Sequence, residues 1–358
     1  MKTGDAPAKA TAADAVTEAV TEAATDDVRA DPVVLRPFRP DDLDALVAFW
    51  NEAFAAQRNF APVTAAAFTR RVLACPAFDP GGLILAWQQT VPAPRLVGLV
   101  HAFKPPPLTG LYRKWEPRHH IAVLYVTPAL RRQGIGSRLL QAAQNWLYYC
   151  PVHVADHLTP CYGSLEGPRA PFFGSTERMG IPATARGVIQ FFAAHGYKVD
   201  DPGDVSMTLH LDGRRLPAPA APDLARWGLR ALAVDNAHPF RGTEPDGREE
   251  YSLWCDNGGD AYGGLVLVDE KQRLRAHVSW YPLADGATMA LGNFWVAPPL
   301  RGHGLGAYLL DAGLHAMSAR QPATIELHTH LVHHTRAVAM YERRGFQVDM
   351  AWVNLVKT

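Results

Sequence analysis

Cysteine is scarce in this chain: Cys75, Cys150, Cys161 and Cys255 are the only four in 358 residues, and none forms a Cys-x-x-Cys pair. That scarcity argues against a zinc ribbon or a disulfide framework and fits a reducing cytoplasm. Long apolar runs are also missing. None approaches the roughly 18 residues of a membrane span, so a soluble chain with no membrane partner is expected. Net charge is absent, with 35 Lys and Arg against 35 Asp and Glu, which removes the electrostatic case for a nucleic-acid partner. The first thirty or so residues lack aromatics and any uninterrupted apolar segment. They are not a secretory signal, and residues 1–31 read as a disordered tail. What remains is globular in character, 48% apolar and 20% charged, and long enough for two or three domains.

The chain repeats itself. VVLRPF reads as a strand, LDALVAFWNEAF as a helix, a second helix follows near 63–74, and GLILAWQQ with LVGLVHAF reads as a hairpin. HIAVLYV is a further strand before TPALRRQGIGSRLLQAAQNWL, a turn leading into a helix. In the second half AYGGLVLVDEKQRLRAHVSWYPL is a hairpin, ATMALGNFWV a strand, and APPLRGHGLGAYLLDAGLHAM again a turn leading into a helix. At an offset of 170, VTPALRRQGIGSRLLQAA and VAPPLRGHGLGAYLLDAG agree at Val, Pro, Leu, Arg, both glycines and the Leu-Leu pair. Two homologous domains are therefore expected, 33–212 and 222–358, with the Pro- and Ala-rich residues 213–221 as linker.

What the two copies share is Arg-x-x-Gly-x-Gly at a helix start. Such a start leaves backbone N–H groups unpaired at the positive end of the helix dipole, where a phosphate is stabilised, and glycines let an oxygen approach the backbone. A dinucleotide site competes with this reading, because Gly302, Gly304 and Ala307 fit Gly-x-Gly-x-x-Ala and Glu326 lies about twenty residues on. The first copy argues against it: Arg132 replaces the first glycine there, and prolines separate strand from turn in both copies.

Strand, Val-x-Pro and Arg-x-x-Gly-x-Gly resemble the acyl-CoA pyrophosphate site of the GNAT superfamily of N-acyltransferases. HTRAVAMYERRGF resembles that family's Asn-x-x-Ala-x-x-x-Tyr-x-x-x-Gly-Phe helix, with His334 in the Asn place, then Ala337, Tyr341, Gly345 and Phe346. The resemblance implies an α/β (α+β) chain of two GNAT-like domains, each a mixed, largely antiparallel central sheet flanked by helices. It implies acetyl-CoA as co-substrate, no metal, and transfer to a primary amine by direct attack in a ternary complex. Arg301, Gly302, His303, Gly304, Leu305, Gly306 and Ala307 would hold the pyrophosphate, and His334 would join them. Backbone groups near Phe294 and Val296 would hold pantetheine, and Tyr341 would protonate the departing thiolate. Val126, Arg131, Arg132, Gln133, Gly134, Ile135 and Gly136 form the corresponding set of the first domain.

The first domain departs from the pattern. In ARGVIQFFAAHGYK the tyrosine place falls on Phe192 and the Asn place on Ala185, and the interval between motifs is about 21 residues longer. A degenerate or structural role follows, with Tyr162 of the inserted stretch as a substitute acid to be weighed. For the general base the strand before the turn offers only Asn293 or, in the first copy, Val123. The next strand, TIELHTHLVHH, puts Glu326, His328 and His330 on one face, so Glu326 or His328 could draw the proton from the acceptor. A polar sheet face is the competing reading, and metal binding by His328, His330, His333 and His334 a third. A non-catalytic acyl-CoA-binding or regulatory protein stands as the alternative function. The acceptor, expected to be a small molecule, and the oligomeric state stay open.

Overall fold

The computed structural model describes residues 32–358 except 59, 61, 105–117, 149–150, 156–158, 160, 163–179, 236, 239, 244–249, 254–262 and 284. The tail expected at 1–31 and most of the inserted stretch of the first half lie outside the described residues.

In the first half, β1 (Val33–Pro37) is followed by α1 (Leu43–Phe54) and α2 (Ala65–Phe68), which runs on as a wider turn to Leu73. The apolar spacing of α1 buries Leu46, Val47, Trp50 and Phe54 on one side. The hairpin β2 (Leu83–Gln88) and β3 (Arg95–Phe103) pairs with β4 (His119–Val126), and α3 (Ile135–Leu147) starts at the glycine turn. After β5 (Val152–Val154) come β6 (Ile181–Pro182), α4 (Arg186–Ala194), β7 (Lys198–Asp200) and β8 (Asp204–His210). The second half contains β9 (Leu229–Asp235), a small separate ribbon of β10 (Phe240–Thr243) and β11 (Glu250–Leu253), then β12 (Gly263–Asp269), β13 (Leu274–Pro282) and β14 (Thr288–Val296). It ends with α5 (Leu305–Ser318), β15 (Thr324–His330), α6 (Thr335–Glu342) and β16 (Gln347–Lys357). The repeat extends into the core. Ile135, Leu139, Leu140, Ala143 and Leu147 are buried on α3, and Leu305, Leu309, Leu310, Gly313 and Met317 are buried at the same places on α5.

The halves trade their last strands. β8 lies between β15 and β16, antiparallel to both, with Met207 opposite Leu327 on one side and Val348 on the other. β16 then runs on into the first half, where Leu355 pairs with Val154 of β5 and with Val199 of β7. One mixed sheet results, in the order β1-β2-β3-β4-β5-β16-β8-β15-β14-β13-β12-β9, with helices against it, and its pairs are antiparallel except β4–β5 and β14–β15. β8 is suited to this place by its alternation: Val205, Met207 and Leu209 join the core of the second half, while Asp204, Ser206 and Thr208 face the other side of the sheet. The boundary drawn from the repeat at 212 therefore follows sequence kinship, whereas the pairing places 204–210 with the second half.

Candidate active site

Each turn is built the same way. A short 3-10 turn, Pro128–Leu130 or Pro298–Leu300, leads to an extended arginine whose Nε donates to the last carbonyl of the preceding strand: Arg131 to Val126 at 2.9 Å, Arg301 to Val296 at 2.8 Å. The arginine therefore ties strand to turn as well as supplying charge. The next residue is left-handed in both copies, Gly302 at φ 82° and Arg132 at φ 65°. That shared backbone need, easily met by glycine, explains why only one copy resembles a dinucleotide fingerprint. Gly134 (φ 81°) and Gly304 (φ 82°) then cap α3 and α5 in the same left-handed region. In α5 the first N–H bonded back into the turn is Tyr308 to Gly304, at 3.0 Å, which leaves the N–H groups before it at the positive helix end.

The strand before the turn is splayed. β14 pairs in parallel with β15 only as far as Leu291 opposite Leu327, and a bulge at Gly292–Asn293 bends it against β13. Beyond Leu291 no strand among the described residues pairs with the β15-facing edge of β14. Phe294 and Val296 lie on this free stretch, and a Cβ built on Gly306 would stand 3.5 Å from Phe294 Cζ and 3.7 Å from Val296 Cγ2. The turn and the free edge therefore adjoin. Tyr341 on α6 is buried beside them, its ring 6.3 Å from that of Phe294 and 5.9 Å from that of Phe346. His303 lies against Trp227 at 6.0 Å between ring centres, while His334 is the exposed cap of α6 and meets Thr329 at 3.4 Å. Leu305 is buried under the turn, and Ala307 is half-buried in the first turn of α5.

The opposite face of β15 is polar. Glu326, His328 and His330 lie there, with Ile325 and Leu327 in the core behind them. Glu326 is fully buried, and its Oε2 accepts from Arg58 Nε at 3.0 Å and Nη2 at 2.6 Å; Arg58 also reaches Asp349. Arg58 follows α1, 268 positions before its partner, and no local pattern announces it. His328 Nε2 lies 3.7 Å from Asp204 Oδ1. His330 and His333 gather around Asp201, a group with metal-ligand chemistry. His330 Nδ1, however, accepts the backbone N–H groups of Val332 and His333 at 3.2 Å each, which puts the proton on Nε2, toward Asp201. Nε2 then has no lone pair for an ion, and the group reads as a hydrogen-bonded knot.

The model of the Acetyltransferase (GNAT) family matches this chain twice, at residues 43–148 and 229–346. The chain belongs to that family. A mycothiol acetyltransferase of Propionibacterium freudenreichii subsp. shermanii is 30% identical over 248 residues, 66% of this chain and 70% of that protein. Among solved structures, a tandem GNAT protein from the clavulanic acid biosynthesis pathway has a TM-score of 0.62, covering 91% of this chain and 98% of its own at 18% identity. A GCN5-related N-acetyltransferase from Sphaerobacter thermophilus has a TM-score of 0.54 over 91% and 95% at 17% identity. The two structures are evidence of fold, and with the double family match they establish a tandem GNAT architecture with acyl transfer as its general chemistry. No helix among the described residues is long and apolar enough to cross a membrane.

Within this GNAT pair the two copies are unequal. The bond from Tyr197 N to Phe192 O repeats that from Phe346 N to Tyr341 O, so Phe192 stands where the second copy has its phenol. His195 joins Ser137 in the first turn of α3 at 3.1 Å, and the neighbouring Phe191 comes within 3.6 Å of a Cβ built on Gly136. Arg344, the counterpart of His195, instead grips Asp311 one turn further along α5, and Gly306 is left facing the strand. At the bulge where β13 carries Ser279, β3 carries His101. Its Nδ1 meets the Tyr162 hydroxyl at 2.5 Å, and Tyr162 is stacked on Trp50 at 5.6 Å and fully buried. Burial lowers the His101 pKa to about 3 and raises that of Tyr162 well above its ordinary value. A phenol so enclosed, bonded to a neutral imidazole, packs as a core residue of the first half.

Proposed function

We propose that the second half of the chain transfers an acetyl group from acetyl-CoA to a primary amine of a small molecule, by direct attack while both substrates are bound. One observation carries this: the Gly302–Gly306 turn, the free edge of β14 and Tyr341 meet at one place. Bound acetyl-CoA would supply a thioester, an acyl group already activated toward amines. The residues present suit it. A Cβ built on Gly302 or Gly304 meets nothing within 4 Å, so the turn is open outward, and its N–H groups with Arg301 favour a diphosphate. The free edge at Phe294–Val296 offers backbone groups to an extended amide-bearing chain, as an added strand would take them, and one of its N–H groups would meet the developing oxyanion. Tyr341 would donate its hydroxyl proton to the leaving sulfur. The first half, with Phe192 and a filled pocket, serves the fold. The 30% identity to a mycothiol acetyltransferase supports a small-molecule acceptor without fixing which.

The test is Tyr341→Phe. Acetyl-CoA affinity by calorimetry should stay within about twofold while kcat for amine acetylation falls by about 10²-fold or more. Unchanged turnover would remove Tyr341 as the acid.

A further inference from the structure

We infer that the proton of the acceptor amine is taken by a His–Asp pair drawn from both halves of the chain, His328 of β15 and Asp204 of β8; the inference rests on the acyl-transfer reading above. His328 is the first residue of β15 past the last rung shared with β14, so it stands where the two strands part, on the face opposite Tyr341. Its side chain is 3% exposed, and both ring nitrogens are buried without a hydrogen-bond partner in the described structure. A neutral imidazole carries one donor and one acceptor, and leaving such groups unmade in an interior is costly. A ligand that bonds to the ring accounts for that cost. Next to Asp204, Oδ1 of Asn354 is likewise buried and unpartnered, while the Asn354 amide donates to Asp204 Oδ2 at 3.0 Å. Asp204 is thus held in place with Oδ1 toward His328 Nε2, at 3.7 Å. This distance is long for a hydrogen bond, as contacts in catalytic sites often are before substrate is bound.

The arrangement selects a tautomer. A proton on Nε2, toward the carboxylate, leaves the Nδ1 lone pair for the acceptor. In the reaction the nitrogen–carbon bond forms as the carbon–sulfur bond breaks. The proton lost by nitrogen goes to Nδ1, where Asp204 stabilises the imidazolium, and Tyr341 gives its proton to sulfur. Return of a proton from imidazolium to tyrosinate through water restores both groups. Glu326 is poorly placed for the same task, because its carboxylate is neutralised by Arg58 and sits opposite Ala290, within the still-paired part of the sheet.

Among the described residues the titratable and charged groups around His328 are Asp204 on β8, Glu326 with Arg58 and its second partner Asp349 on β16, and His330 with Asp201 and His333; Asn354 and Trp352 of β16, bonded to Asp204 and Ser206, do not titrate. The experiment uses the full chain, acetyl-CoA and the best acceptor from a panel of amino sugars, polyamines and amino acids, read by thiol release. His328→Gln should lower kcat by about 10²-fold or more with acetyl-CoA affinity kept within about twofold, and added imidazole should partly restore His328→Ala. Asp204→Asn, nearly isosteric, should move the acid limb of kcat/KM to lower pH, because the imidazolium loses its stabilising charge, and should lower kcat less than His328→Gln does. It carries the test if His328→Gln does not fold. A His328→Gln enzyme within about threefold of the parent, or an acid limb unmoved in Asp204→Asn, overturns the pair. If the parent acetylates none of the amines, the acyl-transfer reading falls first, and that failure is distinct from the other two.

Discussion

His101 provides a measurable check on the claim that the first half has a filled, non-catalytic pocket. Its imidazole is fully buried, bonded to Tyr162 and held neutral, with a pKa near 3 in place of 6.5. The unfolded chain therefore takes up a proton as the pH drops through 6.5, and the folded chain does so only near 3. Over that window the unfolded state binds more protons, so stability is fully present above 6.5 and falls with acidification. Integrating the two titrations from about pH 7 to about pH 5 gives a loss of about 2 kcal/mol from this one group. His101→Gln keeps a hydrogen-bonding side chain and cannot titrate. Urea unfolding of parent and variant at the two pH values isolates the imidazole, since every other group is common to both. The parent should lose about 2 kcal/mol more than the variant over the interval. Parallel losses would mean that the imidazole is solvated, and the argument that this pocket is closed would fall.

Two other outcomes follow. Gly134→Val and Gly304→Val both force a branched residue to φ near +80°, at a cost of about 1–2 kcal/mol each; thermal midpoints should drop alike, yet only Gly304→Val should weaken acetyl-CoA binding measured by calorimetry enough to abolish turnover. Arg58→Met strands the buried Glu326 charge and should cost about 3 kcal/mol in urea unfolding, whereas the double variant Arg58→Met with Glu326→Gln should recover much of it.

What could be read from the chain was local. The turns announce themselves because glycine, proline and arginine act within a few residues, and α1, α3, α5 and the hairpins follow from apolar spacing within each element. Partner choice leaves no such trace. DVSMTLH has the same alternation whichever sheet it joins, so its place beside β15 could not be read from it. β5 spans only Val152–Val154, too short for a period to show. The link from Arg58 to Glu326 spans 268 positions, and that from His328 to Asp204 depends on the traded strand. Glu326 and His328 looked equivalent as bases in sequence, and only their neighbours, a guanidinium for one and a carboxylate for the other, separate them.

The trade of strands also has a consequence for synthesis. During translation the first half is complete in length well before β16 exists, so β5 and β7 wait with the slot between them unfilled, and β8 has neither of its neighbours. A nascent chain in that condition presents bare strand edges, the state most exposed to aggregation and to chaperones. Closure of the strands made first depends on residues made much later. A frameshift or disruption within β16 would therefore injure the half of the molecule farthest from it in sequence, and neither half can be expected to serve as a free-standing module.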